Sequence, residues 1–304
     1  MDRIELVRDA GRELLASLDD MSLWLGSVSG YVAARDAALR MMNLPADQVL
    51  AIVGQDKDED DEPSLLEVRG KIGVVRINGP LIRTSNWITR LFGISSYPDI
   101  RNAMVEAVNN PSVEKIVLNI DSPGGQVVGV QETATLIQKV NAKVKPVTSF
   151  TEGMMASAAY WLGVSSKKVL ATPDATVGSI GVVMVHLDQT KMLHNVGITA
   201  TVMRAGKYKM LVNPYEPLSE TAKKQIQAQL DAVYDNFVGH VATSLGKSAD
   251  LVDEKMAQGR VFVGQKAVDV GLAHRLATFS EVLTALDPQY AVDISRQMNK
   301  NRLR

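Results

Sequence analysis

Residues 114–129 read EKIVLNIDSPGGQVVG, an apolar, β-branched run that stops abruptly at Ser-Pro-Gly-Gly. A continuous apolar run of this length suits a strand buried on both faces, as in layered α/β folds. The paired glycines behind it would let the backbone turn sharply and approach a ligand closely, with an N–H free to donate. Pro-Gly-Gly is also a plain turn. The run therefore points to a fold class and leaves the glycines open.

The same texture recurs on either side, in KIGVVRI (71–77), KPVTSF (145–150), KKVLAT (167–172), IGVVMVHL (180–187) and ITATVM (198–203). Between these runs, residues 97–109 and 130–140 have helical patterning, so strand and helix alternate and parallel pairing through crossover helices is expected. Ser219 and Glu220 open a long helix with Ile226, Leu230, Val233, Tyr234, Phe237, Val241 and Leu245 on one face, closed by Gly246. A second helix over 248–258 leads to RVFVG (260–264) and a strand-like KAVDVGLAHRL (266–276).

At the start of the chain, Ile4, Val7, Leu14, Leu15 and Leu18 recur near helical spacing, and Trp24, Leu25, Val28, Val32 and Leu39 continue the apolar supply. DKDEDDE (56–62) carries six acids and one lysine, a composition that resists packing. The expected organisation is a helical appendage (1–54), an acidic linker (55–64), a main domain (65–280) and a polar, basic tail (281–304). The appendage has two readings: a docking element for a neighbouring subunit or scaffold, or a cap on its own domain.

Composition narrows the function classes. The chain has 304 residues, 46% hydrophobic and 22% charged, which suits a globular protein with a sizeable core. A formal net charge of -1 gives no global field to recruit nucleic acid or an anionic membrane. The absence of cysteine excludes disulfides, thiolate nucleophiles and cysteine-ligated zinc. No uncharged stretch reaches the ~20 residues of a spanning helix, and MDRIELVRDAGRELL lacks the apolar core of a secretory signal. A soluble protein without metal or cofactor is expected.

MMASAAYWLG (154–163) sets one hydroxyl, Ser157, among uncharged residues. A serine is a poor nucleophile until a base takes its proton and donors stabilise the oxyanion. The histidines are His186, His194, His240 and His274; His240 lies inside the long helix and His274 near the end of the fold, both suited to structural roles. Lysine can serve if burial lowers its pKa from ~10.4, and RAGKYKMLVNPYEPLS (204–219) offers Lys207 and Lys209. Alternation in an extended segment does not separate the two. ATVGSIGVVM (175–184) adds a glycine-flanked Ser179.

The order DSPGG (121–125), ASAAYW (156–161), VGSIGVV (177–183), AGKYK (205–209), with NPYEPLS behind it, resembles the signal-peptide-peptidase-A family of serine peptidases over roughly residues 70–277. The resemblance implies an α/β, Clp peptidase/crotonase-like layered fold and peptide-bond cleavage by a serine–lysine dyad. By position it implies Ser157 as nucleophile, Lys209 as general base, Ser179 as the serine holding the lysine amine, and Gly125 with the Ala158 N–H as oxyanion hole; Lys207 matches a variable position. Tyr160 and Trp161 would line the cleft or exclude water. Ala158-Ala159 stands where membrane-anchored bacterial members commonly carry Gly-Gly.

That variant, with NPYEPLS and the SYPDIRNAMVEAVNNPSVEKIVLNIDSPGG lead-in, is similar to the phage and prophage branch. It implies a prohead, or capsid-assembly, protease: a homo-oligomer in the cytoplasm of a bacterial host, cutting scaffold, portal or capsid polypeptides. Alternatives are a short bacterial member of the family, a base formed by His186 with Asp188, a crotonase-like acyl-CoA enzyme, and a non-catalytic assembly module.

Overall fold

A computed structural model describes residues 3–19, 24–26, 28–53, 64–84 and 87–290. In chain order they form α1 (Arg3–Asp19), β1 (Trp24–Gly26), α2 (Val28–Asn43), α3 (Ala46–Val53), β2 (Leu66–Arg69), β3 (Ile72–Asn78), β4 (Leu81–Ile82), α4 (Trp87–Leu91), β5 (Ser95–Ser96) and α5 (Tyr97–Asn109). There follow β6 (Lys115–Asp121), β7 (Gly124–Gln126), α6 (Val130–Lys143), β8 (Val147–Thr151), β9 (Met154–Ala156), α7 (Ala158–Val164), β10 (Lys168–Ala171) and β11 (Thr176–Gly178). The chain continues through α8 (Thr190–Asn195), α9 (Glu220–Leu245), α10 (Ala249–Lys255), β12 (Val261–Val263), α11 (Gln265–Val270), β13 (Arg275–Leu276) and α12 (Phe279–Leu286).

The apolar runs become the main sheet, of order β13-β10-β8-β6-β3-β2, parallel throughout except for β2, which pairs antiparallel with β3 at one edge. These runs are continuously apolar because both faces are covered. Val75, Ile77, Ile116, Leu118 and Ile120 join the core built with α5, α6, α7 and the end of α9. Ile72, Val74, Val117, Phe150 and Leu170 face a second cluster completed by Val282 and Leu283 of α12. Successive residues alternate between the two, as the strand period of two requires. Each such side chain taken fully out of water contributes about 1.5–3 kcal/mol.

Two smaller sheets flank the main one. β9 and β11 run parallel, and β12 closes that sheet antiparallel to β11. The other has the order β1-β7-β4-β5. Its outermost strand comes from the N-terminal unit, far away in sequence.

The helices at 97–109 and 130–140 form as expected, α6 continuing to Lys143. Ser219 caps α9 by accepting the Ala222 N–H, and Gly246 ends it with φ 64°. Apart from Ala222 in its first turn, α9 is deeply buried in its C-terminal half, through Phe237, Val238, Val241 and Ala242. The N-terminal unit packs on its own chain: Val7, Leu14, Leu18, Ala38, Met41 and Val49 share one cluster with Ile82, Ile88 and Ile94. The acidic run and residues 291–304 lie outside the described residues.

Two expectations change. IGVVMVHL and ITATVM are not strands; the stretch from Ser179 to Ser219 is irregular except for α8 and a single bridge at Val183. A strand needs a continuous partner for its N–H and C=O groups, and among the described residues these stretches find only isolated backbone bonds, such as those of Val183 with Trp24 and of the Ile180 carbonyl with Gly259 N–H. KAVDV is helical, the short α11 lying between Gly264 (φ 49°) and Gly271 (φ 86°). Across the position expected to end the main domain, α12 packs under the main sheet.

Candidate active site

Ser157 occupies the junction between β9 and α7 with φ 55° and ψ -122°, a region that a non-glycine residue enters at a cost of about 1–3 kcal/mol. Its N–H donates to the Gly178 carbonyl at 2.7 Å and its carbonyl accepts from Trp161 N–H at 3.0 Å, which over-determines the backbone. The hydroxyl does not cap α7. It donates to the Gly181 carbonyl at a long 3.4 Å and lies at 1% exposure. A strand-to-helix corner of this kind presents a nucleophile at the end of a sheet.

Ser179 repeats the geometry. β9 and β11 pair so that Ala156 lies opposite Gly178, and the next residue of each strand, Ser157 and Ser179, turns out of the sheet at φ 55° and 54°. The Ser179 N–H donates to the Arg260 carbonyl at 2.7 Å. The structure thus brings the two predicted serines side by side.

The Ser-Pro-Gly-Gly loop is fastened to the same corner. Ser122 N–H donates to the Met154 carbonyl at 2.7 Å and Ala156 N–H to the Ser122 carbonyl at 3.1 Å. Ser122 Oγ accepts the Gly124 N–H at 3.2 Å, and Asp121 Oδ1 accepts the Met154 N–H at 2.9 Å. Asp121 was not singled out by sequence reasoning; it ends the strand whose loop it locks, and a Cβ on Gly153 would meet its Oδ1 at 2.4 Å.

Both glycines are required by close approach. A Cβ on Gly124 (φ 96°) would lie 2.2 Å from the Leu25 carbonyl oxygen and 3.0 Å from the Ala158 nitrogen; one on Gly125 would lie 2.0 Å from the Leu81 carbonyl oxygen. Gly125 is therefore held inside its sheet, between Leu25 of β1 and Leu81 of β4. Gly124 abuts the Ala158 amide.

Lys209 lies at the surface. It is exposed in a turn where its N–H donates to the Gly206 carbonyl at 3.0 Å. Among the described residues no hydrogen bond joins its Nζ to Ser157 or Ser179. Lys207 lies over the Tyr208 ring at 5.3 Å. The arm that carries Lys209, residues 180–219, holds apolar side chains in the open, with Val185 58%, Met203 90% and Tyr208 56% exposed.

The histidines are engaged elsewhere. His186 Nε2 lies 2.9 Å from the Asn213 carbonyl oxygen, an acceptor, so this nitrogen carries the hydrogen. Asp188 accepts both the N–H and the hydroxyl of Thr190, bonds that hold its carboxyl below the usual range. The pair is not arranged as base and orienter. His240 Nε2 is 2.8 Å from Ser165 Oγ, with its pKa pushed down to about 4 by burial. Tyr160 and Trp161 do not line a cleft: the Tyr160 hydroxyl donates to the Leu272 carbonyl, and Trp161 stacks on Phe237 at 4.5 Å. No group of three metal-ligating side chains occurs among the described residues, and no described helix is long and apolar enough to cross a membrane.

The model of Peptidase family S49 matches residues 139–293, which include Ser157, Ser179 and Lys209. Capsid assembly protease C of Escherichia phage lambda is 29% identical over 246 residues, 80% of this chain and 55% of that protein. Head-tail preconnector protein GP5 of Enterobacteria phage P21 is 29% identical over 215 residues, 71% of this chain and 42% of that protein. The chain thus spans about half the length of the curated relatives it matches. Among solved structures, a ClpP1 mutant from Listeria monocytogenes aligns with a TM-score of 0.40 at 14% identity, covering 67% of this chain and 90% of that one. With the family model covering half the chain and including both serines of the β9–β11 corner, the chain belongs to peptidase family S49.

Proposed function

We propose that the chain is a serine endopeptidase in which Ser157 is the nucleophile, Lys209 the general base and Ser179 the hydroxyl that holds the lysine amine. The observation that carries this reading is Ser157 itself: a non-glycine residue fixed at φ 55° on a strand-to-helix corner, its hydroxyl making one long contact among the described residues. Neutral Lys209 takes the Ser157 proton as Oγ attacks the scissile carbonyl. The N–H groups of Gly125 and Ala158 receive the oxyanion, and lysinium protonates the leaving amine. Water, deprotonated by the same amine, then attacks the acyl-enzyme and regenerates Ser157.

Lys209 reaches the site only if the arm closes. A lysine works as a base near neutral pH when it is withdrawn from water, and Met203, Tyr208 and Met210 around it are exposed in the single chain. Exposed apolar area on this scale fits an interface between copies. A homo-oligomer therefore gathers the arm and the corner into one site. The phage relatives include one named as a capsid assembly protease, which favours head polypeptides (scaffold, portal or capsid) as substrates and the prohead in the host cytoplasm as the place of action.

The test is cleavage of co-expressed head proteins with the cut ends mapped by mass spectrometry. Ser157→Ala and Lys209→Ala should each abolish cuts made by the unaltered chain while leaving circular dichroism unchanged. A fully active Lys209→Ala protein would falsify the dyad.

A further inference from the structure

One strand in the site comes from outside the peptidase core. Residues Trp24–Gly26 form β1, which pairs antiparallel with β7 in the register Trp24 to Gln126, Leu25 to Gly125 and Gly26 to Gly124. On its other edge Trp24 exchanges both backbone hydrogen bonds with Val183 at 3.0 Å. The three residues therefore lie between the Gly-Gly strand and the segment that leaves Ser179. That segment also provides the Gly181 carbonyl bound by Ser157 Oγ.

The placement along the groove is as telling as the pairing. The Leu25 carbonyl oxygen and the Ala158 nitrogen both crowd the point where a Gly124 Cβ would stand, at 2.2 and 3.0 Å. The Leu25 carbonyl is thus held at the corner where the oxyanion is proposed to form. Trp24 and Leu25 are buried, Leu25 in the main core and Trp24 in the N-terminal cluster with its ring edge-on to Tyr31 at 5.7 Å.

From this geometry we infer that residues 24–26 occupy the peptide-binding groove as an internal competitor of substrate, so that the N-terminal helical unit controls access to Ser157. An extended polypeptide binding by strand addition needs the same backbone groups of β7 and Val183. The two cannot be satisfied together. An internal competitor acts at high effective concentration, and apparent substrate affinity falls by the fraction of molecules in which the groove is open. The inference rests on the peptidase reading for the location of the groove, and the mode of occupation names the ligand class: an extended polypeptide segment held by its backbone between β7 and Val183.

Binding is measured in the Ser157→Ala background, which separates it from turnover. The probe is a capped, fluorescent peptide of residues 21–27, MSLWLGS. Replacing Trp24 by Pro in the full chain removes the N–H bonded to the Val183 carbonyl and should tighten binding about tenfold by anisotropy. Equal or weaker affinity, or binding to neither protein, overturns the inference. Because Trp24 also packs against the helical unit, Gly26→Pro, which leaves the indole in place, decides the matter if the melt of Trp24→Pro shows loss of fold. Labelling of the unaltered chain by a fluorophosphonate reports on Ser157 separately. Labelling without a change in peptide affinity keeps the peptidase and removes the competitor; tighter binding without labelling does the reverse.

Discussion

Two apolar stretches of this chain, 115–121 and 181–187, have similar composition and opposite fates. In β6, Ile116, Val117, Leu118 and Ile120 are fully buried, with β3 and β8 paired on its edges and side chains covering both faces. In the arm, Val183, Val185 and Leu187 are exposed, and among the described residues only Val183 is bridged, to Trp24. The difference is one of available partners, because an apolar run becomes a strand only where other backbone answers its N–H and C=O groups. Ser157 sits where the two regions meet: its corner is built by the core, and its proposed base is carried by the arm.

The sharpest way to separate the regions is at that seam. Ser157→Ala and Lys209→Ala should each lower peptide hydrolysis by about a thousandfold or more, yet only the Lys209 variant should be rescued in part by an added primary amine. Next in size is the core itself: Leu118→Ala should cost about 2–5 kcal/mol of stability in a denaturant melt. The equivalent change in the arm, Val185→Ser with Leu187→Ser, should move the melt of the dilute chain by less than about 0.5 kcal/mol while weakening self-association in sedimentation and reducing activity in step. Loss of stability as large as that of Leu118→Ala would break the contrast.

The smallest effect concerns the half-buried His240 beside Trp161. Burial holds its folded pKa down at about 4, against ~6.5 in an unfolded chain. Between those values the unfolded chain binds the proton and the folded chain does not. Its contribution is therefore complete above pH 6.5 and is lost as pH falls towards 4. Thermal melts across that window should slope downward with acid, and His240→Gln should flatten the slope.

The main sheet was legible because burial on both faces leaves a simple mark, an unbroken apolar run, at 71–77, 114–120, 145–150 and 167–172. The same mark misled at 180–187 and 198–203, since composition records the tendency to bury and not whether a neighbour exists in the same chain. KAVDV was too short for periodicity to separate helix from strand. The serine corner could be read from motif order, whereas the proposal of Lys209 over Lys207 rests on family resemblance alone, because two lysines either side of Tyr208 alternate identically. The insertion of Trp24–Gly26 beside Gly124–Gln126 left no local pattern: three residues pair across a hundred positions. Only the close approach demanded by Gly124 and Gly125 hinted that other backbone would lie against the loop.

The paired left-handed serines set stability and turnover at odds. Glycine would occupy the backbone of Ser157 or Ser179 without steric cost, relieving about 1 kcal/mol or more at each. A library of variants selected for heat resistance alone should therefore drift to glycine at both neighbouring positions. Selection on hydrolysis should restore serine at 157, so the pair marks where this fold gives up robustness to keep a hydroxyl in place.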